Sequence, residues 1–414
     1  MLKYFTKQEK SWILYDWANS AFSAIVASIV LPVFFKSMAE SSGVSSVNAT
    51  AYWGYATSCG TLLCAVLAPI LGTLGDFRGM KKRLFTFFML LGVVCTFLLA
   101  TTGSWKLLLL FYIIATLGFS SSCIYYDSFL LDVTDVTRMD RVSTVGYGLG
   151  YIGGSTIPLI ISLVLIQFGD TIGIPTVTAT KLSFVLTAVW WLVFTIPMLR
   201  NVHQRHGIEP EQNVLAHTLR QMFGTLGMIA KNKAILLFLI AYFFYIDGVG
   251  TIIHMATVFG SSCGLGSMEM MVILLVVQIV AFPFAILYGK LAGRFGARRM
   301  ILFGIATYVV VCGVGFSLKT MKDFLILAVL VGTAQGGIQA LSRSFYGKLV
   351  PAEQASEYFG FFDVFGKFSA VIGPTLFGIV AQLTGVTNYG VLAVMLMFIV
   401  GGGIFAFLVP REIG

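Results

Sequence analysis

A short, glycine-rich, basic turn lies between two long apolar runs: Gly72-Thr-Leu-Gly-Asp-Phe-Arg-Gly-Met-Lys-Lys-Arg83. The chain repeats it at Gly289-Lys-Leu-Ala-Gly-Arg-Phe-Gly-Ala-Arg-Arg299. The copies align without a gap at an offset of 217 residues, with Gly72 on Gly289, Leu74 on Leu291, Gly79 on Gly296, and Lys81-Lys82 on Arg298-Arg299. Two halves of a 414-residue chain, each carrying one basic turn after its second apolar segment, indicate a duplicated membrane protein.

Glycine lets such a turn bend tightly or pack closely, and clustered Lys and Arg hold it on the cytoplasmic side. In the first copy the cations are Arg78, Lys81, Lys82 and Arg83, and in the second Lys290, Arg294, Arg298 and Arg299. Asp76, set among cations, is placed to accept hydrogen bonds from a neighbouring helix end. Gly293 stands at its place in the second copy, so a charge relay does not carry over to that half. Charged residues make up only 11% of the chain, where a soluble protein carries about 25%. The net charge of +9 falls in short loops, which is not a nucleic-acid footprint. The cysteines fit no disulfide framework or metal spacing, and no nucleotide-binding loop is present.

Apolar runs long enough to span a bilayer predict twelve helices at 12–37, 51–73, 84–103, 107–130, 143–167, 179–199, 233–259, 268–289, 300–318, 323–345, 358–383 and 387–409. The expected organisation is an N-terminal six-helix bundle over 1–199, a cytoplasmic linker over 200–232 and a C-terminal six-helix bundle over 233–414. Twenty of the 27 Lys and Arg then fall on one side of the membrane and five on the other, which puts both termini in the cytoplasm. Within the linker, Val214 to Ile229 reads as amphipathic and surface-lying, and its histidines read as a wet linker rather than a zinc site. The loop from Asp132 to Arg141 alternates in charge and reads as solvated.

The duplicated turn resembles the loop signature of the major facilitator superfamily of transporters. The first helix opens with Tyr15-Asp-Trp-Ala-Asn-Ser-Ala-Phe22, which resembles the opening of the vacuole effluxer-like family within that superfamily. The stretches Gly336 to Ser344 and Gly373-Pro374 are similar to that family as well. The resemblance implies an all-α membrane protein whose twelve transmembrane helices form two pseudo-symmetric six-helix bundles. It also implies export of amino acids or similar small zwitterions.

Polar residues inside the spans are the candidate substrate and ion path, because such residues are costly in lipid. Asp16 and Asn19 lie three apart on one face of the first helix, and Tyr126 and Asp127 lie near the inner mouth. Asp247 is near the bilayer centre, where a lone ionised carboxylate costs about 2.5–3.5 kcal/mol, with His254 two turns on. Gly248 and Gly250 would loosen the helix there. Gln335, Gln339 and Arg343 form one stripe. Asp363 and Lys367 share a face and either line the path or neutralise each other. Pro32 is expected to break the first helix near its outer end. The glycines at 146, 148, 150, 153 and 154 in the fifth helix serve static packing or sliding.

These features favour a secondary transporter working by alternating access, not an enzyme, driven by an ion gradient or by the substrate gradient itself. A zwitterion needs a cation for its carboxylate, which Arg343 or Lys367 can supply, and an anion for its amine, which Asp247 or Asp16 can supply. Expected partners are a small-molecule substrate, protons and membrane lipid, with no cofactor, no metal and no nucleic acid. The expected setting is a monomer in a bacterial inner membrane. A uniporter or importer of a sugar, peptide or other metabolite stands as the alternative, as does a receptor or scaffold that kept the fold.

Overall fold

The computed structural model describes residues Leu2–Glu209, Val214–Ser262, Ser267–Phe316 and Met321–Pro410. Among them, twelve helices are long and apolar enough to cross a membrane. They are α1 (Lys7–Ser41), α2 (Ser46–Asp76), α3 (Met80–Thr101), α4 (Trp105–Val133), α5 (Met139–Ile172) and α6 (Thr176–Asn201), then α8 (Lys233–Ser262), α9 (Ser267–Phe295), α10 (Ala297–Phe316), α11 (Met321–Leu349), α12 (Ala355–Thr384) and α13 (Thr387–Phe407). A shorter helix, α7 (Val214–Lys231), lies between the two sets.

Some helices start ahead of the apolar stretch that announces them, where a polar side chain caps the end. The start of α1 is an example. Thr6 Oγ1 accepts from the Glu9 amide at 3.1 Å while Glu9 Oε2 accepts from the Thr6 amide at 2.7 Å. This reciprocal box satisfies two otherwise orphaned donors and starts the helix well before Trp12.

Two helices depart from α geometry just before a proline. In α1 the stretch Phe22–Ile29 is π-helical, and the Val30 amide reaches back five residues to the Ile25 carbonyl. In α5 the stretch Gly150–Thr156 does the same, with Ile157 donating to Ile152. Pro32 and Pro158 explain both. Each ring pushes away the carbonyl four residues earlier, that of Ser28 or Gly154, and the ladder widens to take up the displacement. The break expected at Pro32 therefore lies in the turns preceding it.

The chain divides into two compact units. Unit 1 comprises Met1–Val133, Leu149–Val214 and Ala352–Gly360, and unit 2 comprises Thr134–Gly148, Leu215–Pro351 and Phe361–Gly414. Each unit thus takes one short segment from the other half of the sequence, the start of α12 in unit 1 and the start of α5 in unit 2.

Small residues bring helices together inside unit 1, as expected where lipid gives no hydrophobic drive between them. A Cβ on Gly118 of α4 would stand 2.5 Å from the Gly92 amide nitrogen of α3. A Cβ on Gly154 of α5 would stand 2.6 Å from Ser20 Cβ and 2.7 Å from the Trp17 carbonyl of α1. An aromatic core closes one end, with Trp12 stacked on Tyr126 at 4.4 Å and Tyr15 beside it at 4.8 Å.

Unit 2 follows the same rule. A Cβ on Gly401 of α13 would stand 2.9 Å from the Tyr245 amide nitrogen of α8, and one on Gly332 of α11 2.8 Å from Val280 of α9. Helix α8 runs unbroken through Gly248 and Gly250. Gly248 is a packing glycine rather than a bend, because a Cβ there would meet the Phe398 ring at 2.6 Å.

Candidate functional site

In unit 1 the duplicated turn receives two segments from elsewhere in the chain. The first is the start of α12. Asp76 Oδ1 accepts from the Ser356 amide at 2.8 Å and Asp76 Oδ2 from the Glu357 amide at 2.9 Å. A carboxylate at a helix N-terminus satisfies orphaned amides and opposes the positive end of the dipole. Gly72 makes the approach possible, since a Cβ there would sit 2.9 Å from Glu357 Cα. Ser128 Oγ adds a buried hydroxyl contact to Ser356 Oγ at 3.1 Å.

The second is the segment after α6. Asp132, at the end of α4, is buried and collects three donors and a histidine ring nitrogen. Its Oδ2 takes Lys81 Nζ at 2.8 Å. Its Oδ1 takes the amides of Arg205 at 2.8 Å and His206 at 2.9 Å, and lies 3.1 Å from His206 Nδ1. Gln204 completes the strap. Its Oε1 accepts from the amides of Gly79 and Lys81, and its Nε2 faces the carbonyls of Gly75, Asp76, Phe77 and His206. A short parallel bridge pairs Phe77 with Ile208. Gly79 holds the turn at φ +78°, a conformation open to glycine at no steric cost. Lys82 Nζ lies 3.4 Å from His203 Nδ1, Arg83 is exposed, and Arg78 pairs with Glu209 at the surface.

In unit 2 the second copy receives the start of α5. Gly289 admits it, for a Cβ there would collide with the Thr144 side chain. Asp140 accepts from Ser344 Oγ at 2.7 Å and Lys348 Nζ at 2.6 Å. Arg343 donates from Nε to Ser143 Oγ at 2.9 Å and from a terminal nitrogen to the Ser143 carbonyl at 3.1 Å, and its guanidinium lies 4.4 Å from the Tyr147 ring centroid. Ser143 Oγ donates onward to the Ala340 carbonyl at 2.7 Å.

Gly72 and Gly289 therefore do the same work, and Gly296, at φ +87°, repeats the turn of Gly79. The cations after them do not match. Lys81 pairs with Asp132, whereas Arg298, its aligned counterpart, caps the end of α13 by donating to the carbonyls of Phe405, Ala406, Val409 and Pro410. Arg298 is thus tied to a helix end. Arg294 and Arg299 stay at or near the surface.

Among the path candidates in unit 1, Asp16 and Asn19 are buried. Asn19 Nδ2 points at Cys123 Sγ at 3.8 Å, Tyr126 stacks on Trp12, and Asp127 is half-buried. In unit 2, Asp247 Oδ1 accepts from the Gly373 amide of α12 at 3.0 Å. Its Oδ2 is buried with no hydrogen-bond partner among the described residues, and so is Thr251 Oγ1 one turn on. The side chain of His254 lies outside the described residues. Gln335 is buried and Gln339 half-buried. Asp363 and Lys367 form an ion pair, each partly exposed.

The solvated reading of the loop after α4 fails at Asp132, which is 1% exposed. Its partners lie 51 and more residues away, so no local pattern announces them. Asp140, Ser143, Gln204 and Ser356 are equally silent in sequence.

A family model described as "Vacuole effluxer Atg22 like" matches residues 6–134 and 130–414. A relative described as an MFS-type transporter, YxiO of Bacillus subtilis (strain 168), is 50% identical over 416 residues, covering 100% of this chain and 97% of its own length. Autophagy-related protein 22 of Botryotinia fuckeliana (strain B05.10) is 24% identical over 297 residues, which is 64% of this chain and only 49% of the fungal protein. Among solved structures, the human organic anion transporter MFSD10 (TETRAN) superimposes with a TM-score of 0.73 at 12% identity, over 96% of this chain and 99% of that one. At that identity the likeness speaks for the fold alone, the major facilitator arrangement of twelve helices.

Proposed function

The chain belongs to the Atg22-like vacuole effluxer family and is a major-facilitator-type transporter rather than an enzyme, and from that premise we propose that it exports amino acids or similar zwitterions in exchange for protons. The observation that carries the coupling is Asp247. One of its oxygens is committed to the Gly373 amide, and the other is buried with no donor among the described residues. A buried, half-satisfied carboxylate is costly unless a proton or a ligand cation completes it. The Asp363–Lys367 pair on α12 supports the substrate class, because one anion and one cation on a single helix face match an amine and a carboxylate. Export and cytoplasmic termini rest on the family likeness and on the Lys and Arg asymmetry, as does placement in a bacterial inner membrane as a monomer.

Alternating access needs contacts that hold in one state and release in another. The Asp76 bonds to the start of α12 and the Asp140 bonds to α11 are the ones assigned here. Asp16 and Asn19 on α1 are proposed as path residues.

The test is transport by protein reconstituted in liposomes. Counterflow of labelled amino acids is measured first, then uptake driven by an imposed pH gradient. Asp247→Asn keeps an acceptor for Gly373 but cannot titrate. It is expected to abolish the response to the gradient and to retain counterflow. Wild-type flux indifferent to the gradient removes the proton role, and absence of counterflow with every amino acid tried removes the substrate class.

A further inference from the structure

A groove of about 660 Å³ opens in unit 1 beside the first basic turn. Lys82 and Arg83 from the start of α3 line it, with His203 from the segment after α6. His203 is held there by its neighbour, since Gln204 is bonded to the amides of Gly79 and Lys81. Three basic groups from two separate segments thus face one space, and among the described residues no carboxylate lines it. Lys82 Nζ lies 3.4 Å from His203 Nδ1, within hydrogen-bond reach, so the lysine is held at the mouth of the groove with donors left for an anion.

The groove continues into an apolar track. Phe87 and Leu90 line its far side. Arg83, Phe87, Leu90, Val94 and Phe97 recur at spacings of four, three, four and three, which is one stripe of a helix. The four apolar members are exposed by 59%, 41%, 53% and 45%. Its apolar part, from Phe87 to Phe97, runs about 15 Å along α3, which matches the roughly 15 Å of hydrocarbon in one leaflet. A basic head joined to an apolar track of that length matches one kind of molecule.

We propose that this groove binds an anionic phospholipid, with its phosphate between Lys82, Arg83 and His203 and an acyl chain along Phe87, Leu90, Val94 and Phe97. The assignment holds for whichever leaflet the turn faces. A zwitterionic lipid places its own cation beside these three and is disfavoured. A free phosphate gains the charges but not the track. A bound lipid joins α3 to the strap after α6, and so reinforces the arrangement around Asp132.

The experiment is native mass spectrometry of the full chain in detergent, titrated separately with phosphatidylglycerol, phosphatidylcholine and inorganic phosphate. Phosphatidylglycerol adducts are expected to persist at activation energies that strip the other two. Lys82→Gln with Arg83→Gln is expected to weaken phosphatidylglycerol retention by about tenfold or more, as loss of two cations near an anionic headgroup implies. Lys231→Gln with Lys233→Gln removes equal charge elsewhere and is expected to change nothing. Equal loss in both double variants overturns the site in favour of a diffuse charge effect. Equal retention of phosphatidylcholine overturns the headgroup choice, and equal retention of phosphate overturns the lipid. Should the groove variant fail to fold, a photoactivatable phosphatidylglycerol on the wild-type chain decides. Labelling within 82–97 supports the site, and labelling confined to other helices refutes it.

Discussion

Asp132→Asn separates the two tasks of one buried carboxylate. The amide is isosteric. Its Oδ1 can go on accepting from the Arg205 and His206 amides, now at 2.8 and 2.9 Å. Its Nδ2 replaces the oxygen that takes Lys81 Nζ at 2.8 Å, so a donor faces a donor. Lys81 is 1% exposed in its side chain and has no water to turn to. The Phe129 ring, 5.3 Å from Nζ, offers only weak compensation. Removing one member of a buried pair costs about 3–5 kcal/mol, chiefly because the other charge is stranded. Adding Lys81→Met removes that charge and keeps the strap, so the double variant should return to within about 1.5 kcal/mol of wild type. Arg78→Ala is the control. Its partner Glu209 and it are 74% and 65% exposed, so their pair is worth about 0–1 kcal/mol. All six tryptophans of the chain, at 12, 17, 53, 105, 190 and 191, lie in unit 1. Denaturant titration followed by tryptophan fluorescence therefore reads the affected unit directly. A single variant within 1 kcal/mol of wild type, or a double variant as unstable as the sum of the singles, refutes the reasoning.

Asp76→Asn leaves one of the Ser356 and Glu357 amides facing an NH2 group, at a cost of about 1–3 kcal/mol; hydrogen exchange over 352–360 should accelerate, and unchanged protection would count against the assignment. Gly154→Val forces a side chain into Ser20 and the Trp17 carbonyl and should destabilise by about 1–3 kcal/mol, read by the same fluorescence titration. Gly250→Ala meets nothing within 4 Å and should stabilise α8 by about 0.5–1 kcal/mol; a marked loss of transport would instead reveal a bend there.

The spans were legible because apolar length is a local signal, and so was the duplicated turn, because Gly72, Gly79, Gly289 and Gly296 answer local backbone demands. What the turn binds was not. Asp76 carries no mark of Ser356, 280 residues away, and Asp132 reads as one more loop charge until Lys81 and the His206 segment close over it. Lys81 and Arg298 occupy the same place in the repeat and serve different partners, so symmetry misleads where tertiary contacts decide. The expectation that Asp363 and Lys367 share a face held by simple counting, since residues four apart meet on any α-helix.

Counting of that kind stops at the π segments. Beyond Ile29 in α1 and Thr156 in α5, a helical wheel begun at the helix start is out of phase with the side chains. The first and fifth long helices of the second set, α8 and α12, carry no such segment and are α-helical throughout their described lengths, although α12 contains Pro374. One half of the duplication has widened its helical turns at two places and the other has not. The faces that α1 and α5 present past those points therefore cannot be obtained by rotating α8 and α12 onto them. The repeat therefore holds at the turns and lapses past those points, so the side-chain pattern of one half does not foretell that of the other.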